Sequence, residues 1–173
     1  MTSGTSQEPD RAFDALLEAN QEYAHAFRYA DLEGVARAGV AVVTCMDARI
    51  PPLEMIGLRL GDAKVVRNPG GRVTPVAMEA LVLAVHLLGV DKILVVPHTR
   101  CAMASSTQEE MRARVAESSG ADTSDVTFSV VEDQRAALVE DVSSVREHPL
   151  VPDSVSVGGF VYDVATGRLD RVI

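Results

Sequence analysis

Two stretches of this chain are apolar on both faces: Val40-Ala41-Val42-Val43-Thr44-Cys45 and Ile93-Leu94-Val95-Val96. Continuous β-branched runs of this length read as strands buried on both sides of a sheet. The first strand is expected over 39–44, ending at Cys45. A second is expected over 63–66, running into Arg67 and Asn68, and a third over Lys92–Val96. Between them the period changes to that of helices. Asp10 is placed to cap a helix to about Tyr29, with Phe13, Leu16, Leu17, Ala24 and Phe27 near helical spacing. Pro51-Pro52 breaks the chain before a short helix over 53–56 that ends at Gly57. Thr74 caps a helix with Pro75 at its first position, running to about Leu88. That helix is apolar nearly all round, so it is expected to pack against sheet or partner.

The second half repeats the alternation more weakly. Ser106 or Thr107 starts a charged helix to about Ser118, 120–124 is a loop, and 126–130 has the pattern of a short strand. A helix over 132–147 is stopped by Pro149, and the chain closes in a hairpin turning at Ala165-Thr166-Gly167. Both late helices carry mixed charge and are expected to be solvated. The fold class is α/β: a central, mostly parallel β-sheet flanked by helices, with a C-terminal β-hairpin. No internal repeat or interdomain linker is visible.

Composition narrows the function classes. A chain of 173 residues is of single-domain size, and 47% hydrophobic residues supply a core. Residues 1–9 are polar, with neither the basic nor the apolar region of a signal peptide, so a disordered leader over 1–9 and one domain over 10–173 are expected. No apolar run approaches the roughly 18 residues that span a bilayer. A net charge of −9 argues against nucleic acid as a partner. Two cysteines without a secretory signal do not make a disulfide framework and fit a reducing, cytoplasmic setting.

Both cysteines sit where a predicted strand ends. Cys45 closes the first run, and His98-Thr99-Arg100-Cys101 follows the third. Ligand sites in open α/β sheets lie beyond the carboxyl ends of strands. Cys45, His98 and Cys101 would there offer two thiols and an imidazole, three zinc ligands with a fourth position open. The alternative is two buried thiols packing as small hydrophobes. Asp47 and Arg49 follow Cys45 at once and, two apart in an extended segment, share a side. They form either a surface salt bridge or a held carboxylate that orients a reactant beside the metal. Arg67, Asn68, Gly70 and Gly71 read either as a strand-to-helix turn or as the substrate-pocket wall. His86 reads as a packed core or interface histidine, and His25 and His148 as surface residues.

These motifs carry a resemblance. Cys45-Met46-Asp47-Ala48-Arg49 resembles the C-x-D-x-R motif of the β-class carbonic anhydrases, and His98-Thr99-Arg100-Cys101 their H-x-x-C motif. Arg67-Asn68-Pro69-Gly70-Gly71 is similar to the R-N-x-G segment between them, and the tail from Gly159 to Leu169 to the closing hairpin. The resemblance covers roughly residues 10–172 and is nearest the short bacterial branch. It implies zinc (Zn2+) as cofactor and reversible hydration of CO2 to bicarbonate and a proton through zinc-bound hydroxide. It also implies that Asp47 alternates between an open state and a closed one in which it is the fourth ligand. The implied assembly is a homodimer or dimer of dimers, with the N-terminal helix packing on a partner subunit. The alternatives are a carbonyl sulfide or carbon disulfide hydrolase on the same site, or a non-catalytic zinc-binding homologue. The chain departs from the branch's usual H-T-D-C-G at Arg100 and Ala102. Ala102 is therefore expected to carry backbone strain, and Arg100 to attract an anion or compete with Arg49 for Asp47.

Overall fold

A computed structural model describes residues 11–173. The leader expected over 1–9 and the cap expected at Asp10 lie outside the described residues. The chain divides into two compact units, Met1–Glu33 and Gly34–Ile173. The first contains α1 (Asp14–His25), entered through a 3-10 turn at Arg11–Phe13 and ending short of the expected Tyr29. None of the residues of α1 is buried, and Leu16, Leu17 and Tyr23 are exposed. Phe27 packs its ring between those of Tyr23 and Tyr29, each centroid 5.6 Å away.

The second unit is built on five strands: β1 (Val40–Cys45), β2 (Ala63–Asn68), β3 (Lys92–Val96), β4 (Ser156–Tyr162) and β5 (Leu169–Arg171). Their order is β2-β1-β3-β4-β5; all pairings are parallel except the β4/β5 hairpin. β1 is buried at every residue, as its uninterrupted apolar run requires, whereas β2 at the edge is only partly covered. Successive residues serve opposite faces. Ala41, Val43, Ile93 and Val95 join one core cluster, and Val40, Val42 and Val96 the other.

Helix α2 (Pro75–Leu87) starts as its sequence indicates, Thr74 Oγ1 accepting the amide of Ala77 with Pro75 at the first position. It buries Ala77, Leu81 and Ala84, while Val76 and Leu87 stand 74% and 70% exposed. His86, expected in a core or interface, is not in the core of the chain: it is exposed, its Nε2 2.7 Å from the carbonyl of Leu150. Helix α3 (Gln108–Ser119) opens on a Thr107/Glu110 capping box and buries nothing, as a solvated helix should. Helix α4 (Gln134–Arg146) keeps the expected solvated face at Arg135, Glu140 and Arg146, but its opposite side is buried. Ala137, Leu138, Val142 and Val145 form an apolar stripe that is buried, and Asp141 is buried with them.

The strand expected over 126–130 does not form. The two edges of the sheet are β2 and β5, and the segment reaches neither. Its backbone is satisfied by helix α3 instead: Gln108 Oε1 accepts the amide of Phe128, and Arg112 Nε donates to the carbonyl of Val126. Among the described residues, no helix is long and apolar enough to cross a membrane.

Candidate metal centre

β1 has β2 on one side and β3 on the other, so the chain leaves it in opposite directions and opens a crevice beyond the carboxyl ends of β1 and β3. Cys45 is the last residue of β1. His98 and Cys101 follow the end of β3, and Thr44 Oγ1 donates 2.7 Å to the carbonyl of Val96 where the two strands finish. The ligand-capable atoms of Cys45, His98 and Cys101 lie within 4.8 Å of one another, and all three residues are buried. The sequence placed these donors at separate strand ends; the parallel register brings them together.

The imidazole carries the most direct sign of what belongs there. His98 Nδ1 donates 2.9 Å to the carbonyl of Thr99, which leaves the Nε2 lone pair free. Among the described residues, His98 Nε2 is the one buried side-chain nitrogen or oxygen with no hydrogen-bond partner. Burial, opposed by the nearby Asp47 charge, holds His98 below its ordinary pKa and hence neutral. Burial pushes the Cys101 thiol up, against the backbone amides of Met103 and Ala104 that favour its thiolate. Two thiols and a neutral imidazole with a committed Nδ1 are a donor set that fits zinc, which takes nitrogen and sulfur ligands tetrahedrally.

Asp47 and Arg49 are paired beside these donors. Asp47 Oδ1 accepts from both the backbone amide and Nε of Arg49 at 2.9 Å, and Oδ2 accepts from the other arm of the guanidinium at 2.7 Å. These bonds, the side-chain ones first, hold the Asp47 carboxyl well below the usual carboxylate range. Asp47 Oδ2 stands 3.8 Å from His98 Nε2. Arg49 also donates 3.3 Å to the carbonyl of Arg100, tying the two motifs together.

A cavity of roughly 600 Å³ opens over the donors, lined by residues 45–49, Pro69, His98 and residues 101–103. Of the segment expected as its wall, Pro69 lines it. Asn68, Gly70 and Gly71 shape the turn instead, Asn68 bonding through its amide to both backbone groups of Arg72. Gly71 has φ +69°, and a Cβ there would lie 2.9 Å from the amide nitrogen of Cys45. Arg67 donates from Nε to the carbonyl of Cys45 and from its other arm to that of Asp47, bracing the first motif from β2.

The second motif differs from expectation. Arg100, not Ala102, has the left-handed backbone, with φ 57°, the one non-glycine residue so placed among those described. Ala102 begins a 3-10 turn (Ala102–Ala104), a conformation alanine adopts freely. Arg100 is exposed, does not line the cavity, and does not displace Arg49 from Asp47; its charge acts on Asp163 instead. Two supports were not legible beforehand. Gln134 of α4 donates 3.1 Å to the carbonyl of His98. The Thr99 hydroxyl donates to Asp163 and accepts from the amide of Val164, binding the His98 loop to the closing hairpin. Neither support is marked by a motif of its own; each is a polar residue whose partner is distant in sequence.

Comparison with known proteins agrees with this geometry. The family model described as carbonic anhydrase matches residues 40–169. "Beta-carbonic anhydrase 1" of Mycobacterium tuberculosis is 33% identical over 162 residues, covering 92% of this chain and 96% of the relative. A "carbon disulfide hydrolase" of Acidithiobacillus thiooxidans is 30% identical, covering 74% of this chain and 70% of the relative. Among solved structures, carbonic anhydrase from Streptococcus mutans superposes with a TM-score of 0.84 at 34% identity, covering 96% of this chain and 100% of that one. By sequence, fold and site together, the chain belongs to the β-carbonic anhydrases, enzymes of the carbonate dehydratase (lyase) class.

Proposed function

We propose that this protein is a zinc-dependent catalyst of the reversible hydration of CO2, residues 10–173 acting as one domain. Cys45, His98 and Cys101 hold the metal. The observation that carries this is the unpartnered Nε2 of buried His98 beside two thiols. Bound there, zinc supplies a Lewis acid that brings the ionisation of water into the neutral range.

The chain's own residues supply orientation. Asp47, ionised at any working pH, accepts hydrogen bonds and is too weak a base to hold a proton. Its Oδ2, fixed by Arg49, directs a donor in the cavity and so aims a lone pair at the carbon of CO2. That both oxygens are engaged by Arg49 supports the open state over the ligating one. The largely apolar lining from Met46, Ala48, Pro69, Ala102 and Met103 suits a linear, nonpolar substrate.

That same lining, with the carbon disulfide hydrolases among the relatives, supports a second reading: carbon disulfide or carbonyl sulfide as the electrophile. The non-catalytic reading has less support, because Arg100 stands outside the cavity. We infer a homodimer or dimer of dimers in the cytoplasm, without nucleic-acid or membrane partners. Exposed apolar side chains on α1 and at Val76, Leu83 and Leu87 of α2 support the assembly, and two free thiols support the compartment.

The test is CO2 hydration by stopped flow from about pH 6.5 to 9, a range bracketing ionisation of water at a zinc site. Protein with stoichiometric zinc should turn over rapidly, and faster as pH rises. Zinc-loaded protein inert toward CO2 at every pH overturns the proposal, and turnover of carbon disulfide by that sample establishes the second reading.

A further inference from the structure

Helix α4 buries a carboxylate that the proposed chemistry does not use. Asp141 is 4% exposed, and both its oxygens are taken by Arg72: Nε to Oδ2 at 2.6 Å, the other arm to Oδ1 at 3.1 Å. A forked, charge-assisted pair fixes orientation as well as distance. Glu140, 3.6 Å from the same guanidinium, is solvated and adds little. Stability is a poor reason for such a pair, since well-packed apolar residues often serve as well or better in its place.

What the pair holds is more telling. Arg72 ends the turn after β2, where Asn68 Nδ2 donates 2.7 Å to the carbonyl of Arg72 and Asn68 Oδ1 accepts its amide at 2.9 Å. Inside that bracket Gly71 lies directly on the backbone of Thr44 and Cys45, too close for any Cβ. A continuous series of contacts therefore runs from the Asp141 carboxylate through Arg72 and the 68–72 turn to the backbone of Cys45.

We propose that Asp141 is a positioning residue for the metal centre, seating the 68–72 turn through Arg72 so that Cys45 is held in ligating geometry. This rests on the reading of Cys45 as a metal ligand. Without the pair, the turn is free to lift from Cys45, and the metal site loosens while the rest of the sheet stays formed.

The test uses the full chain loaded with zinc, as the parent, Asp141→Asn, Arg72→Gln, the double variant and Val142→Ala. Zinc release to a chromophoric chelator is timed, thermal melting is recorded on the same samples, and visible absorption is taken on cobalt-substituted protein. Asp141→Asn and Arg72→Gln should each release zinc about 10-fold faster, the scale found when groups supporting metal ligands are removed. The double variant should release it no faster than the faster single one, and the cobalt bands should shift in all three. Val142→Ala, which removes core packing from the same helix, should melt lower yet keep the parental release rate and spectrum. Parental release and spectrum in both single variants overturn the proposal, as does equal acceleration by Val142→Ala or an additive loss in the double. If Asp141→Asn does not fold, Arg72→Gln decides; failure of both to fold overturns it, because the pair is then needed for the fold itself. A parent that binds no zinc sinks the functional reading and this inference together, whereas variants that match a zinc-binding parent sink the inference alone.

Discussion

Replacing Gly71 by alanine tests how closely the turn after β2 is pressed onto the metal-bearing strand. Two costs combine. The left-handed backbone at φ +69° costs a residue with a Cβ about 1–2 kcal/mol, partly offset by about 0.4–1 kcal/mol from a stiffer unfolded chain. The new methyl would also stand 2.9 Å from the Cys45 nitrogen and 3.0 Å from the Thr44 carbonyl carbon. Both are backbone atoms of a fully buried strand and cannot swing aside, so about 1–3 kcal/mol of overpacking is added. Gly57 is the control. It has the same backbone sign, φ +72°, but a methyl group added there would meet no heavy atom within 4 Å, so Gly57→Ala carries only the first cost. Urea denaturation should therefore show Gly57→Ala destabilised by about 1 kcal/mol and Gly71→Ala by about 2–4 kcal/mol. Equal losses in the two variants would refute the close approach and with it the role of the turn in seating Cys45.

Other outcomes follow from the same geometry. Cys45→Ala should lose zinc on dialysis, and tight stoichiometric zinc by metal analysis would remove Cys45 from the ligand set. Asp47→Ala should keep zinc but lose turnover near neutral pH by about 10–100-fold in stopped flow, the range for groups supporting a metal site; unchanged turnover would sink the orienting role. Arg100→Asn should relieve part of the left-handed strain and raise Tm by about 2–4 °C, the equivalent of about 1 kcal/mol for a chain of this size; a lower Tm would show that Arg100 makes contacts that outweigh the strain. Asp163 is held below its ordinary pKa by the amide of Ala165 and then the Thr166 hydroxyl, so its contribution is full above the unfolded carboxylate pKa and fades as pH falls through the lowered folded value. The melting difference between the parent and Asp163→Ala should accordingly narrow below about pH 4, and a gap that widens with acid would contradict the assignment.

Strands β1, β2 and β3, the candidate donor residues and the sheet class were legible in the order of residues. β1 and β3 can be read because a strand buried on both faces must be apolar without interruption, and because each run leads into residues with metal chemistry. The cap at Thr74 can be read because it acts within one turn of itself, and of the two starts open for α3, Ser106 or Thr107, the cap is Thr107. Where side chains meet across long separations, the folded arrangement had to settle the matter. The solvated face of helix α4 was legible but its charges mask a narrow apolar stripe, and Asp141 is buried with that stripe paired to Arg72, far away in the chain. The run at 126–130 had a strand's composition but no sheet edge to join. The strain expected at Ala102 moved to Arg100 because a loop's dihedrals depend on both of its anchors, here His98 beyond β3 and the 3-10 turn at Ala102–Ala104. The free Nε2 of His98 belongs to the same class: a carbonyl on the next residue fixes the ring, but only the parallel register of β1 and β3 brings the distant Cys45 thiol to join His98 and Cys101.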